Sequence, residues 1–334
     1  MKAAVVHQPG GPEALQYEEV ADPVPGPDEI LIENRAAGIN FSDTGRRRNA
    51  GPDELPLILG SEAAGPILAV GPGVDDSDFK VGDYVACQGA SGGYAERVIC
   101  RVRDAAAGGG SRDQGGRVTP VPAEVKPEDA VAAMLQALTA HAMAFGAYDV
   151  KAGDRVLIQA GAGGVGLMLT QMAKIAGAFV FATVGDDAKV AFAREAGADE
   201  VINYTKEDFE ERVMQATGGD GVNAVFDAVG EPTFLKGARC LAPLGTIVSY
   251  GAAGGPVAPF RLSQIGSGRY VVSTRMSVHT PTRAAWLKRA ATVLDWVKTG
   301  KLRTRTTAYP LARAADAHRD LEGRRSVGKL ILVP

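Results

Sequence analysis

Cysteine is scarce. Cys87, Cys100 and Cys240 are the three in 334 residues, odd in number and scattered. They build neither a disulfide framework nor a four-cysteine zinc lobe, a usage that fits a reducing compartment, so the expected location is the cytoplasm. Aromatic residues make up 6%, and the four histidines, His7, His141, His279 and His318, form no pair at i,i+4. That excludes a two-histidine helical metal motif and leaves no interleaved basic and aromatic tract for nucleic acid. Net charge is −3, so no global field recruits nucleic acid or an anionic membrane. No apolar run approaches the roughly 18 residues of a membrane span, and the run from Ala3 to Val6 is too short for a signal peptide. An apolar content of 46% with 22% charged residues suits a globular chain of one large or two ordinary domains.

Glycine, by contrast, is placed with purpose. Asp154 to Ala160 reads as a short buried strand and leads directly into Gly161-Ala162-Gly163-Gly164-Val165-Gly166. A helix pattern follows, with Val165, Leu169, Met172, Ala173 and Ala176 on one face, and then a second apolar run from Phe179 to Val184. Strand, G-x-G-x-x-G turn, helix and strand form the dinucleotide-binding βαβ unit. Gly161 permits the tight turn, Gly163 lets backbone approach a pyrophosphate, and Gly166 lets the helix pack on the sheet. The helix N-terminus offers N–H groups and a partial positive charge to phosphates.

Around this unit the chain changes character. Residues 1 to about 124 read as β, with short apolar runs (Ala3–Val6, Ile30–Ile32, Pro66–Val70, Tyr84–Ala86, Tyr94–Ile99) cut by Gly, Pro and Asp. The stretch 105–116, rich in Ala and Gly, reads as a flexible surface loop. From Lys126 helices and strands alternate, which implies a parallel sheet with helices on both faces. The expected strands are Glu200–Asn203, Asn223–Val229, Thr246–Ser249 and Tyr270–Thr274, and Pro281 to Lys298 is expected as a long helix. A final β–α–β segment from Arg303 to Val333 is expected back on the first domain. The expected domains are therefore 1–124 completed by 300–334, and 125–299.

With these residues in view, the chain resembles the medium-chain dehydrogenase/reductase superfamily over nearly its whole length. Within it, the chain is similar to the zinc-independent quinone oxidoreductases, the zeta-crystallin group. The matching stretches are Ala36–Asp43, Leu59–Gly65, Gln136–His141, Gly161–Gly166, Ala196–Tyr204, Phe226–Gly230 and Gly328–Leu332. The resemblance implies a GroES-like β-barrel domain plus a Rossmann domain with a doubly wound parallel sheet, an active site in the cleft between them, and a homodimer built on Tyr270–Thr274.

Zinc enzymes of the superfamily hold their catalytic metal with Cys and His where this chain carries Asn40 and Ser61. A carboxamide and a hydroxyl do not replace those ligands, so no metal is expected. For the nicotinamide cofactor, the strand ends Thr183-Val184-Gly185, with Val184 where an NAD site usually places an acid. Lys189 follows, Tyr204 and Arg324 match positions that hold the 2′-phosphate in the quinone oxidoreductases, and a cation opposite that phosphate favours NADPH. Asp186 and Asp187 stand against this, since both would repel it. Further cofactor contacts are expected from Thr139, from Ala162, Gly164 and Val165 in the turn, and from Val229, Ser249, Tyr250 and Gly251 at strand ends.

The expected reaction is direct hydride transfer to an electron-poor acceptor such as a quinone. Asn40 would donate a hydrogen bond to the acceptor or to the nicotinamide carboxamide. Asp43 is expected to fix its loop rather than titrate. The subgroup's tyrosine two residues after this Asp is replaced by Gly45, followed by Arg46-Arg47-Arg48. This basic run reads as a solvated loop, or as a basic mouth to a wider pocket. The enzymatic alternative is reduction of a 2-alkenal, enone or enoyl thioester with Tyr250 as proton donor. A nucleotide-binding or RNA-binding crystallin-like role is the non-enzymatic alternative.

Overall fold

The computed structural model describes residues 1–75, 77–102 and 117–334, so the expected loop at 105–116 lies outside the described residues. The chain divides into two compact units, Met1–Leu135 with Thr280–Pro334, and Gln136–His279.

The second unit is a six-stranded sheet, parallel throughout. Its spatial order is Glu200–Asn203, Phe179–Val184, Arg155–Ile158, Val222–Asp227, Leu241–Ser249, Tyr270–Ser273. Numbered along the chain this is 3-2-1-4-5-6, the doubly wound order, which reverses between Arg155–Ile158 and Val222–Asp227. The strands read as continuous apolar runs because helices cover both faces. Leu157, Phe181, Val225 and Ile247 form one buried cluster with Phe209, Val213 and Phe234 from the helices. Asp208 starts the helix Phe209–Ala216 by accepting from the N–H groups of Glu210 and Glu211, which satisfies two donors of its first turn.

The first unit is mostly antiparallel. One path of strands runs Thr306–Pro310, Lys329–Val333, Ala36–Ile39, Glu62–Val70, Glu29–Glu33, Arg97–Arg101, with Tyr84–Gln88 paired off Glu62–Val70 and Val118–Pro120 paired to Tyr84–Gln88. A smaller sheet joins Leu15–Glu19, Lys2–Val6 and Leu57–Ile58. Apolar clusters fill the unit, chiefly one around Ile30, Ile67 and Val98 and one around Val6, Ile39, Tyr94 and Leu332. The strand Lys329–Val333 lies antiparallel to Ala36–Ile39, opposing residues almost three hundred positions apart in the sequence.

The division of units differs from the expected boundaries at both ends. The helix Arg283–Lys298 belongs with the first unit because its own side chains hold it there. Arg283 donates to the Val118 carbonyl and covers the Phe79 ring, and Arg117 covers Trp286. The helix Pro127–Ala132 is tied in similarly, through Asp129 to Thr304. A second difference concerns apolar length. The helical stretch Pro127–Ala147 has 21 residues at a hydropathy of 1.4, enough by length and composition to cross a membrane, and 61% of that window is buried within the protein. No uninterrupted apolar run marks it in the sequence because Glu128, Asp129, Gln136 and His141 punctuate it.

Candidate active site

The glycine turn sits at the carboxyl end of Arg155–Ile158, beside the point where the strand order reverses. Ala160 leaves the strand in the left-handed conformation at φ 54°. Gly161 N–H then donates to the Thr183 carbonyl at 2.7 Å, which ties the turn to the neighbouring strand. Gly163 caps the helix Gly164–Ile175, whose first N–H groups have no intrahelical acceptor. A Cβ on Gly166 would lie 2.3 Å from the Ala160 carbonyl oxygen, so only glycine lets helix and strand approach this closely. Across Gly164 lies the carboxamide of Gln136, its Oε1 1.9 Å from where a Cβ would stand. That oxygen is buried and has no hydrogen-bond partner among the described residues.

One strand further, Gly185 has a specific reason to be glycine. A Cβ there would stand 2.4 Å from the hydroxyl of Tyr204, so its absence lets the phenol lie over the strand end. Lys189 closes the 3-10 turn Asp187–Lys189. Both acids that follow Gly185 are engaged by the protein itself. Asp186 accepts from Ala188 N–H at 2.9 Å. Asp187 accepts from Asn203 Nδ2 at 2.7 Å and pairs with Lys206. The hydrogen bond from Lys206, followed by that from Asn203, holds the Asp187 carboxyl below its usual value. Arg324 lies in the other compact unit, at φ 56° after the helix Ala314–Glu322.

The ends of Val222–Asp227 and Leu241–Ser249 are stitched together. Tyr250 N–H donates to the Asp227 carbonyl at 2.9 Å. The Asp227 carboxylate, fully buried, accepts from the N–H groups of Val229 and Gly230 and from the Thr233 hydroxyl. Burial pushes its carboxyl up, and these donors oppose that shift. Val229, Ser249, Tyr250 and Gly251 are thus brought to one edge, with Gly251 packed against Ala228. Tyr250 is half-buried, and desolvation, then the Asp227 charge, push its phenol above its ordinary value. Thr139 lies apart from this edge in sequence, on the helix Leu138–Ala142.

The first unit carries a different kind of site. Asn40 precedes the helix Phe41–Asn49, and the Asp43 carboxylate reaches back to accept from Asn40 N–H at 2.8 Å, as residue three of a capping box does. Asn40 Nδ2 donates to Glu62 Oε2 at 2.5 Å, and Asn40 Oδ1 accepts from Lys329 Nζ at 2.7 Å. Lys329 and Glu62 also pair directly at 2.5 Å, both with 0% exposure. Glu62 Oε1 accepts from Leu135 N–H, which the widened π turn Ala133–Ala137 presents. A Cβ on Gly38 would meet Glu62 Oε2 at 2.4 Å and Lys329 Nζ at 2.9 Å, so glycine makes room for the pair.

From Asp43 the polar chain continues inward. Tyr94 donates its hydroxyl to Asp43 Oδ2 at 3.0 Å, Tyr94 Oη is 3.0 Å from His318 Nε2, and His318 Nδ1 is 2.6 Å from Arg47 Nη1. Arg47 ends at Glu322, 2.5 Å away, and the Gly10 carbonyl. Desolvation pushes Asp43 up to about 6, opposed by Asn40 N–H, the Tyr94 hydroxyl and Lys329, and reinforced by Glu62. Desolvation, then the charges of Arg47 and Arg48, take His318 down to about 3.

This chain corrects the reading of Arg46-Arg47-Arg48 as a solvated run or a basic mouth. Arg47 has 0% exposure, and only its neighbours reach solvent, paired with Glu54 and Glu322. The signal was present as helical spacing: Asp43, Thr44 and Arg47 share the buried face of Phe41–Asn49. Asp43 has a second property besides fixing its loop, because its carboxyl is shifted into the range where it titrates. Glu62, Tyr94, His318, Lys329, Lys206 and Gln136 were not singled out from the sequence. Glu62, Gln136 and Lys329 lie inside stretches that carry the resemblance, but no role followed from them, since Glu62, Tyr94, His318 and Lys329 act through partners distant in the chain. Among the described residues, no group of three or more His, Cys, Asp and Glu is placed to hold a metal.

Residues 26–119 match the alcohol dehydrogenase GroES-like domain and residues 164–294 the zinc-binding dehydrogenase family. A quinone oxidoreductase of Pseudomonas aeruginosa is 36% identical over 331 residues, 97% of each chain. A 2-haloacrylate reductase of a Burkholderia species is 34% identical, over 99% of this chain and 98% of that one. The crystal structure of Escherichia coli quinone oxidoreductase complexed with NADPH superposes with a TM-score of 0.91 at 35% identity, covering all of both chains.

Proposed function

Because the chain belongs to the medium-chain dehydrogenase/reductase superfamily, among its quinone oxidoreductases, we propose that it is an NADPH-dependent reductase of quinones that works without a metal. The observation that carries the reading is the state of the second-strand acids. Asp187 is neutralised by Lys206 and Asp186 is taken up as a cap, so neither stands ready for a ribose diol. Tyr204, lying over Gly185, and Lys189 on the turn beside it are the residues we assign to a 2′-phosphate, with the lysine supplying countercharge.

The residues fit the cofactor elsewhere too. The first turn of the helix, Gly164 to Gly166, supplies backbone N–H groups without an intrahelical acceptor, and the orphaned Gln136 Oε1 beside it is an acceptor awaiting a donor. Val229, Ser249, Tyr250 and Gly251 wall the nicotinamide, and Thr139 adds a hydroxyl. When bound, the nicotinamide supplies the hydride; the protein positions and excludes water. Asn40, its amide already fixed by Glu62 and Lys329, keeps a second N–H for the acceptor oxygen. The metal-free assignment rests on the same spot, where the Lys329 ammonium already answers the buried Glu62 charge. Elemental analysis showing stoichiometric zinc would contradict it.

The Burkholderia relative favours a second reading, in which the acceptor is an activated carbon–carbon double bond and Tyr250 supplies the proton. Turnover of a 2-alkenal with no quinone activity would establish it. The edge strand Tyr270–Ser273, with Tyr270 56% exposed, is the proposed seam of a homodimer, which sedimentation would reveal. Buried free thiols at Cys87, Cys100 and Cys240 support a cytoplasmic location.

A further inference from the structure

We infer that Arg47 and His318 are positioning residues, which act through Tyr94 to hold Asp43 as the acceptor that fixes the Asn40 backbone. Donor direction along the chain is fixed from its far end. A guanidinium has donors and no acceptor, so at 2.6 Å from Arg47 Nη1 the Nδ1 of His318 must be the bare, accepting nitrogen. The neutral ring therefore carries its proton on Nε2, which donates to the Tyr94 oxygen at 3.0 Å. That oxygen having accepted, its own proton is committed to Asp43 Oδ2, 3.0 Å away. There it converges with the Asn40 N–H on a single oxygen. Direction runs one way, from a group that never loses its proton to the carboxylate under Asn40.

Arg47 stops the chain from serving as a proton wire, because nothing beyond His318 can pass a proton on. Its output is geometry and charge state. Two hydrogen bonds on Asp43 Oδ2 favour the ionised form against burial. Other charged groups flank the chain: Lys329 and Glu62 face Asp43 from two strands, Arg48 faces His318, and Glu322 closes the end at Arg47.

The kinetic part of this inference rests on the proposed quinone reductase activity; the tautomer part does not. Long-range nitrogen–proton correlation on imidazole-labelled protein reads the tautomer directly, with the signal assigned by His318→Gln. The expected result is a protonated Nε2, a bare Nδ1, and no titration between about pH 5 and 8. An Nδ1–H form, or an imidazolium appearing in that range, overturns the inference even if the enzyme is fully active. For the second readout, Tyr94→Phe removes one donor to Asp43, and the acidic limb of kcat/KM moves up by about one to two pH units. A loss of activity at pH 6 that recovers at pH 8 is the mark of positioning by charge state. An unchanged pH profile in a folded, NADPH-binding Tyr94→Phe overturns the role. If the unmodified protein turns over no acceptor, the functional reading fails, and the nitrogen spectrum still decides the tautomer.

Discussion

The glycine turn and the Asn40 network are built on opposite principles. In the turn, backbone does the work: Gly161, Gly163 and Gly166 exclude side chains so that N–H groups and a helix end can meet a ligand. In the network, side chains do it: Asn40, Asp43, Glu62, Tyr94, His318, Arg47 and Lys329 are buried ionic and polar groups that satisfy one another. The turn lies within six consecutive residues, whereas the Lys329–Glu62 bond spans 267. A site made of backbone needs small residues in a fixed local order. A site made of side chains needs the whole unit to fold first.

The contrast is sharpest under substitution. Lys329→Met leaves Glu62 as a buried, unpaired carboxylate and should cost about 3–5 kcal/mol in urea unfolding. The double variant Lys329→Met/Glu62→Gln should recover much of that loss, because it removes the stranded charge as well. Equal instability of the two proteins would show that packing, not charge, matters there.

The network also predicts opposing pH slopes. Asp43 titrates at about 6 when folded against 3.8 otherwise, so between those values the native state keeps a proton that the unfolded chain has lost. Its stabilisation is full below that window and lost as pH rises through it, about 3 kcal/mol in all. His318 runs the other way. Its folded value of about 3 lies below 6.5, so stability is lost as pH falls from the upper value towards the lower. Over pH 4 to 6 the two slopes oppose each other. Asp43→Asn should uncover a protein that weakens on acidification, and His318→Gln one that strengthens, by unfolding at several pH values.

In the turn, Gly166→Ala sets a methyl against the Ala160 carbonyl, a backbone atom that cannot swing aside. NADPH affinity should fall about 100-fold, as expected when a binding loop moves by an ångström, with the Asn40 network untouched. Calorimetric titration separates that loss from unfolding. The smallest effect is expected at Lys206→Ala, which releases the Asp187 charge beside the proposed 2′-phosphate site. NADPH preference over NADH should fall about twofold to fivefold, the scale of an exposed ion pair.

The same contrast explains what the residues disclosed in advance. The βαβ unit was legible because its strands are continuous apolar runs and its turn is a fixed glycine pattern, and Phe179–Val184 and Glu200–Asn203 fall where the pattern sets them. The strand Ala36–Ile39 was not, because Ala and Gly there carry no β signal. Gly38 is small to admit the Glu62–Lys329 pair, a fact visible only in three dimensions. Arg47 was misread because neighbouring arginines suggest solvent, while its buried partners, His318 and Glu322, come from the far end of the chain. Asp187 was read as a repelling charge since Lys206, its partner, lies beyond the next strand.

The central claim is NADPH-dependent reduction of a quinone, and the most direct measurement follows NADPH and NADH oxidation side by side against an ortho-quinone and a 2-alkenal. The account predicts strong preference for NADPH with quinone turnover. A preference for NADH would contradict it, because Asp186 or Asp187 would then be holding a ribose rather than serving the fold.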